Sequence, residues 1–404
     1  MTEPLTPQTA IAYIQRLPLA QEVFGDARLA AEPITEGNVN LLFRVYDQAD
    51  RQRSILIKQA LPYAWRYPDF KMPVDRARIE VGILRIEGRY CPDQVPQVYH
   101  YDDENHIMVI EDLNQHLVMR EALMQQRRYP RVAQHMGVFM ARTLFYTSDL
   151  HLASGEKKAL VPQFINPVLC KVQEDLVFTQ PYIPHPNNRI TPPLKPLVEE
   201  RVYADDDLRA DIFHFKERYM THAQALIHND LHTGSIMLNQ EETKVIDPEF
   251  GFFGPMGHDI GTYFANLALS YASQEAHAPD ETVRASYRGW LLQQIRETWR
   301  VFEREFLTLW EEEGNEDWPS DRFKQRYMAQ LLQDTAGFGA AEMMRRLIGM
   351  AHVHDFWTIE DKMLRARAES LGLDIALRWI KNRHDIHRID DLTQLAADAR
   401  PLLL

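Results

Sequence analysis

His228-Asn229-Asp230-Leu231-His232-Thr233-Gly234-Ser235-Ile236-Met237-Leu238 and, after a polar stretch, Lys244-Val245-Ile246-Asp247-Pro248-Glu249-Phe250-Gly251 decide how this chain is read. Ile236 to Leu238 and Val245 to Ile246 have the apolar character of two short strands, and Asn239 to Thr243 is turn material between them. Loops flank the pair, the second running on to Gly261. Such a hairpin sets two carboxylates on one edge of a sheet: Asp230 before the first strand and Asp247 after the second. Taken alone, a short window favours an acidic turn with a capping aspartate, and the combined pattern from His228 to Gly261 reverses that preference.

The chemistry that needs two carboxylates so placed is phosphoryl transfer. One acidic group orients the attacking hydroxyl, and another holds the magnesium that neutralises the phosphates. The corresponding signature is His-x-Asp, four residues, Asn, then a metal-binding Asp-Phe-Gly after the next strand. His228 and Asp230 fit it; Ser235 stands at the Asn, and Asp247-Pro248-Glu249 at Asp-Phe-Gly.

Composition narrows the class. A chain of 404 residues exceeds one ordinary core and predicts two lobes. A net charge of −13 argues against a nucleic-acid partner, which requires clustered basic charge. Cys91 and Cys170 make neither a disulfide framework nor a zinc site, so a reducing cytoplasm is the expected compartment. The Met-Thr-Glu-Pro start lacks a signal peptide's basic and apolar runs, and no stretch has the roughly 20 apolar residues of a bilayer span. No membrane partner is expected.

Taken in order, Thr6-Pro7 opens a helix whose apolar positions Ala10, Ile11, Ile14 and Leu17 recur at helical spacing. Gly37-Asn38 predicts a hairpin turn ahead of a strand on which Leu41, Phe43 and Val45 alternate. A glycine turn also lets backbone amides approach phosphate oxygens. The strand Ile55 to Ala60 carries Lys58, either a snorkelling edge residue or a point charge held for a nucleotide's phosphates. The helix Asp75 to Leu84 favours the second, because Ile79 and Ile83 pack inward and Glu80 is placed to orient Lys58. Strands at Gln97 to Tyr101 and His106 to Ile110 lead into Glu111-Asp112-Leu113, an acidic loop or an inter-lobe hinge whose backbone reads adenine.

Beyond the hinge, Pro130 opens a buried helix through Val132, Met136, Phe139, Met140 and Thr143. Eight of the 23 prolines fall between Pro162 and Pro196, which predicts an irregular segment wrapped over the surface. A helix is expected near 198–226, and three more over roughly 280–313, 321–352 and 358–384.

His228 and His232 at i,i+4 raise a zinc reading, but that geometry needs a helix and Asn229-Asp230 with Thr233-Gly234 make a turn. His352 and His354 face apart on the expected helix and read as structural. Arg345-Arg346 would ordinarily be a solvated face; beside the small residues Ala336 to Ala341, it would instead let an anionic group come close.

Assembled, these residues resemble the protein-kinase-like small-molecule kinases, a group that includes aminoglycoside phosphotransferases and choline kinases. Within it the chain is most similar to the 5-methylthioribose kinase family. The similarity is carried by Gly37 to Leu41, Lys58 to Tyr63, Asp75 to Glu80, Met108 to Leu113, Phe164 to Pro167 and Glu174 to Leu176. Further along it is carried by His232 to Ile236, Asp247 to Phe250, Gly254 to Gly257 and Glu342 to Arg346.

The resemblance implies an α+β, bilobal protein-kinase-like fold: an N-terminal lobe over 1–113 with an antiparallel sheet plus helix, then a larger, mainly helical C-terminal lobe over 114–404. It implies ATP-dependent phosphorylation of the anomeric hydroxyl of S-methyl-5-thioribose, in methionine salvage, with magnesium as cofactor and a homodimeric assembly. Asn40, Lys58 and Glu80 would serve the ATP phosphates, and Glu111, Asp112 and Leu113 would line the adenine. Asp230 would be the catalytic base and touch the sugar, Asp247 and Glu249 would hold magnesium on either side of Pro248, and Arg345 and Arg346 would close on the sugar. Three departures from the family pattern stand out: Asn229 for the Gly before the catalytic Asp, Met72-Pro73 with Trp65 upstream in place of Ser-Trp-Pro, and His258 before Asp259. The alternatives are a relative acting on another sugar, an amino alcohol or an aminoglycoside, and a catalytically inactive nucleotide-binding scaffold. The joint presence of Lys58, Glu80, Asp230 and Asp247 argues against the scaffold.

Overall fold

Along Leu41–Asp47 every second side chain is buried, as the alternation of Leu41, Phe43 and Val45 predicts for a strand with one face on a core. A computed structural model describes residues 3–35, 39–316, 318 and 320–403. The expected Gly37-Asn38 turn lies outside the described residues.

The chain divides into two compact units, Met1–His116 with Lys244–Gly251, and Leu117–Thr243 with Phe252–Leu404. Asp247, Pro248 and Glu249 thus belong to the first unit although they follow residue 113 by a long stretch of sequence.

The first unit is built on a five-stranded sheet in the order Leu29–Ile34, Leu41–Asp47, Ser54–Gln59, Ile107–Glu111, Val98–Asp102, antiparallel throughout. The helix Pro7–Gln15, capped by Thr6, and a second short helix, Pro18–Phe24, cover its apolar face through Ala10, Ile14 and Phe24. The helical spacing through Leu17 suggested a single helix there, but Pro18 starts a new one, since proline fits a first turn and not an interior. The helix Arg76–Tyr90 packs against the Pro248–Phe250 turn and buries Ile79, Glu80 and Ile83.

In the second unit the helices Met256–His277, Asp321–Ile348 and Lys362–Lys381 pack together, and Glu281–Glu313 packs on Val132–Tyr146. Met256–His277 begins inside the stretch that reads as a loop to Gly261. A Cβ on Gly261 would stand 2.6 Å from the Thr335 carbonyl oxygen and 2.7 Å from the Gly339 nitrogen, so this glycine lets two helix backbones touch. From Asp334 to Ile348 every side chain is buried, so this helix is enclosed on all sides. Its charged members therefore need partners inside the protein.

Several boundaries differ from the sequence reading. The proline-rich segment contains a regular helix, Pro167–Phe178, because Pro167 occupies its first position, where no amide is needed. The helix expected near 198–226 is a short turn, a π-helical Glu199–Tyr203 and then Asp206–Thr221, with Ala225–Ile227 a strand. The helix expected to reach 352 ends at Ile348, so His352 is not helical and His354 opens a separate turn. Strands form over Ile236–Leu238 and Thr243–Val245, one to two residues earlier than expected for the second. No helix among the described residues is long and apolar enough to cross a membrane.

Candidate active site

Lys58 follows the apolar run Ile55-Leu56-Ile57 in the strand Ser54–Gln59, and burial leaves its ammonium the carboxylates around it. Its Nζ lies 2.7 Å from Glu80 Oε1 and 2.5 Å from Asp247 Oδ1. Burial pulls the Lys58 ammonium down, but Asp247, Glu80 and Glu249 together outweigh it, so Lys58 remains a cation. Glu80 is pushed up by burial, against the pull of Lys58. Asn40 donates to Glu249 Oε2 at 2.9 Å and accepts from Arg76 Nε and Nη2 at 3.2 and 3.0 Å. Arg76 Nε also lies 3.3 Å from Glu249 Oε2. Of the residues read as nucleotide and metal ligands, Asn40, Lys58, Glu80, Asp247 and Glu249 are thus brought into one cluster, and Arg76, which sequence reading passed over, knits it.

Among these side chains three carboxylates, Glu80, Asp247 and Glu249, share two cations, Lys58 and Arg76. The Asp247 side chain is half exposed and its backbone is left-handed, with φ 63°. Two hard carboxylate oxygen donors, of which Asp247 is half exposed, suit magnesium, which rarely takes an all-protein cage. No group of three or more candidate metal-ligating side chains occurs among the described residues.

Glu111 ends the strand Ile107–Glu111, and Asp112 and Leu113 follow it. Asp112 is spent on structure, accepting from Arg44 Nε at 2.5 Å and from the Ser54 hydroxyl at 2.6 Å. Glu111 Oε2 lies 3.4 Å from Lys244 Nζ and accepts from the Gln97 amide at 3.1 Å. Only backbone groups of Asp112 are left for a ligand.

In the second unit a carboxylate on the Met256–His277 helix shapes the loop before Asp230. Asp259 accepts from the His228 and Asn229 amides at 2.7 and 2.8 Å. Asn229 takes φ 68°, a conformation asparagine tolerates better than most residues, and its side-chain amide donates to the Tyr219 hydroxyl at 3.0 Å. Ser235 donates to the Asp230 carbonyl at 3.0 Å, bracing the loop. Asp230 Oδ1 accepts from Arg345 Nη2 and Arg346 Nη2, both at 3.3 Å, and His232 Nε2 lies 3.3 Å from Oδ2. Burial works to raise the Asp230 carboxyl, but His232 and the two guanidiniums hold it well below the usual carboxylate range.

Arg345 and Arg346 are therefore not a solvated pair. Both are buried, and Glu342, one turn back on the same helix, takes Arg346 Nε at 2.6 Å and lies 3.4 Å from Arg345 Nε. Glu342 was legible from its i,i+3 and i,i+4 spacing. Gln173 was not: its amide oxygen accepts from Arg345 Nη1 at 2.5 Å, across 172 positions of sequence. Arg120, paired with Asp355 at 3.4 Å, is a third buried guanidinium that no motif announced.

His232 gives the site an acid limit. Its Nδ1 accepts from the Gly234 amide at 2.9 Å, so the neutral ring carries its proton on Nε2, toward Asp230. Burial, opposed by Asp230 and reinforced by Arg346 and Arg120, brings its pKa down to about 4. A folded value below the unfolded one means the unfolded chain binds more protons between the two. Stability is complete above the unfolded value near 6.5 and is lost as pH falls toward 4. From pH 7 to 5 this amounts to about 2 kcal/mol. We expect thermal melts of His232→Gln to lose less stability than the parent over that interval; parallel losses would show that another group sets the acid limit.

Comparison with known proteins follows the same lines. The model of the phosphotransferase enzyme family matches residues 32–302. Methylthioribose kinase 1 of Oryza sativa subsp. japonica is 37% identical over 96% of this chain and 93% of its own length. Methylthioribose kinase of Geobacillus sp. (strain WCH70) is 40% identical over 98% of the chain and 96% of its own. That of Escherichia coli O45:K1 is 38% identical over 98% and 97%. With likeness of this extent to plant and bacterial relatives alike, the chain belongs to the phosphotransferase enzyme family and, within it, to the methylthioribose kinases.

Proposed function

We propose that the chain transfers the γ-phosphoryl group of ATP to the anomeric hydroxyl of S-methyl-5-thioribose, a step of methionine salvage. The observation that carries this reading is the near end-to-end likeness to methylthioribose kinases of plants and bacteria. The geometry agrees with it. Asp230 is an ionised carboxylate beside two guanidiniums, suited to orient a sugar hydroxyl and accept its proton while Arg345 and Arg346 meet the sugar and the migrating phosphoryl group. In the first unit Asn40 and Lys58, with Glu80 steadying Lys58, serve the phosphates, and the backbone of 111–113 serves the adenine. Asp247 and Glu249, flanking Pro248, would hold a magnesium ion, whose charge offsets that of the phosphates. A soluble cytoplasmic enzyme and a homodimer complete the reading; light scattering on the purified chain tests the assembly.

The deciding experiment is a coupled ADP-release assay across methylthioribose, ribose, choline and kanamycin. Turnover with methylthioribose well above the other three is expected, and a preference for choline or kanamycin would overturn the assignment. The metal assignment has its own test. Both Asp247→Ala and Glu249→Ala should lose activity and require more magnesium, and excess magnesium should partly restore Glu249→Ala, since water fills one position. An unchanged magnesium dependence in Glu249→Ala would remove Glu249 as a ligand.

A further inference from the structure

We propose that Gln173 is a positioning residue that clasps Arg345 to the loop carrying Asp230. On the helix Pro167–Phe178 it shares the buried face with Leu169 and Val177 and is 2% exposed. Its amide is spent in two directions. The oxygen accepts from Arg345 Nη1 at 2.5 Å, and the nitrogen donates to the Asn229 carbonyl at 2.9 Å. That carbonyl belongs to the peptide leading into Asp230, and Arg345 Nη2 reaches Asp230 Oδ1 at 3.3 Å. Asn229, Asp230, Arg345 and Gln173 thus close a ring of contacts.

The residue type follows from the ring. A buried bridge between a guanidinium and a carbonyl must accept at one end and donate at the other, which an amide does. Glutamate would set an acceptor against the Asn229 carbonyl, and lysine a cation against Arg345. Asn229 also holds an unfavourable left-handed conformation, fixed at its N–H by Asp259 and at its side chain by Tyr219. Gln173 fixes the remaining side of that residue, its carbonyl. The clasp therefore sets how Arg345 stands to the carboxylate, and reaction geometry is sensitive to displacements of about 1 Å.

This inference rests on the reading that Asp230 receives the acceptor's proton, but not on which alcohol is phosphorylated. Gln173→Met keeps the length and removes both bonds; Gln173→Glu keeps the Arg345 arm and loses the donor to Asn229, and serves if the first variant fails to fold. We expect kcat to fall about tenfold to a hundredfold with the KM for ATP within twofold of the parent. Combined with Arg345→Lys, Gln173→Met should cost no more than about threefold beyond Arg345→Lys alone, because the two act as a unit. Losses that multiply, or a kcat within threefold of the parent, overturn the proposal. Hydrogen exchange without substrate separates it from the functional reading. Faster exchange over residues 226–234 in the variants supports the clasp even if methylthioribose is not the acceptor, and unchanged exchange there overturns it whatever the acceptor.

Discussion

Asp230→Asn should lower kcat about a thousandfold, within the range that a positioned proton acceptor contributes, while ATP binds as before. As the base we propose, this carboxylate is unusual. Arg345 and Arg346 on one oxygen and the His232 N–H on the other keep it ionised and weakly basic. A loose phosphoryl-transfer transition state suits such a group, because little negative charge has developed on the hydroxyl when the phosphoryl group departs. In the proposed role, Asp230 acts mainly by orientation, taking the proton late. An asparagine keeps the shape but must turn its NH2 either toward two guanidiniums or toward the His232 N–H, so the hydroxyl loses its acceptor and the arginines their anion. Steady-state kinetics with calorimetric titration of ATP check this. Comparable turnover in the variant would remove Asp230 from the chemistry.

The second large effect is expected at the paired arginines. Arg345→Lys and Arg346→Lys should each depress kcat roughly a hundredfold or more, far beyond any rise in the KM for ATP. Each guanidinium is used as a fork: Arg346 divides its donors among Glu342, Asp230 and the Ala351 carbonyl, and Arg345 between Gln173 and Asp230, with Glu342 3.4 Å from its Nε. A lysine presents one compact charge and cannot span those partners. Contacts to the phosphoryl oxygens that strengthen in the transition state lower the barrier, whereas uniform binding would alter only KM. Kinetics of both variants within threefold of the parent would sink the prediction and leave the arginines as packing residues.

What could be read along the chain is what local physics encodes. Leu41, Phe43 and Val45 alternate because a strand with one buried face must, and Ile79, Glu80 and Ile83 share one side of a helix for the same kind of reason. That periodicity also put Glu80 within reach of Lys58, 2.7 Å away in the folded chain. Asn229 stands where the family resemblance has Gly, and its φ of 68° is one that asparagine tolerates. The ends of elements were less legible. Pro167 starts a helix in a stretch that proline content marks as irregular, because composition does not say which side of a proline the helix lies on.

The character of Arg345 and Arg346 was decided only by tertiary structure. Two adjacent arginines on a helix read as a solvated face, and the small residues before them only open the alternative of an anion site. Their burial comes from helices on both sides of Asp321–Ile348, and their fixed geometry from Gln173 and Asp230, residues more than a hundred positions away. The depressed Asp230 carboxyl has the same origin. A pKa depends on which charges lie within a few ångströms and how much water separates them, and for residues so distant in sequence only packing sets that separation.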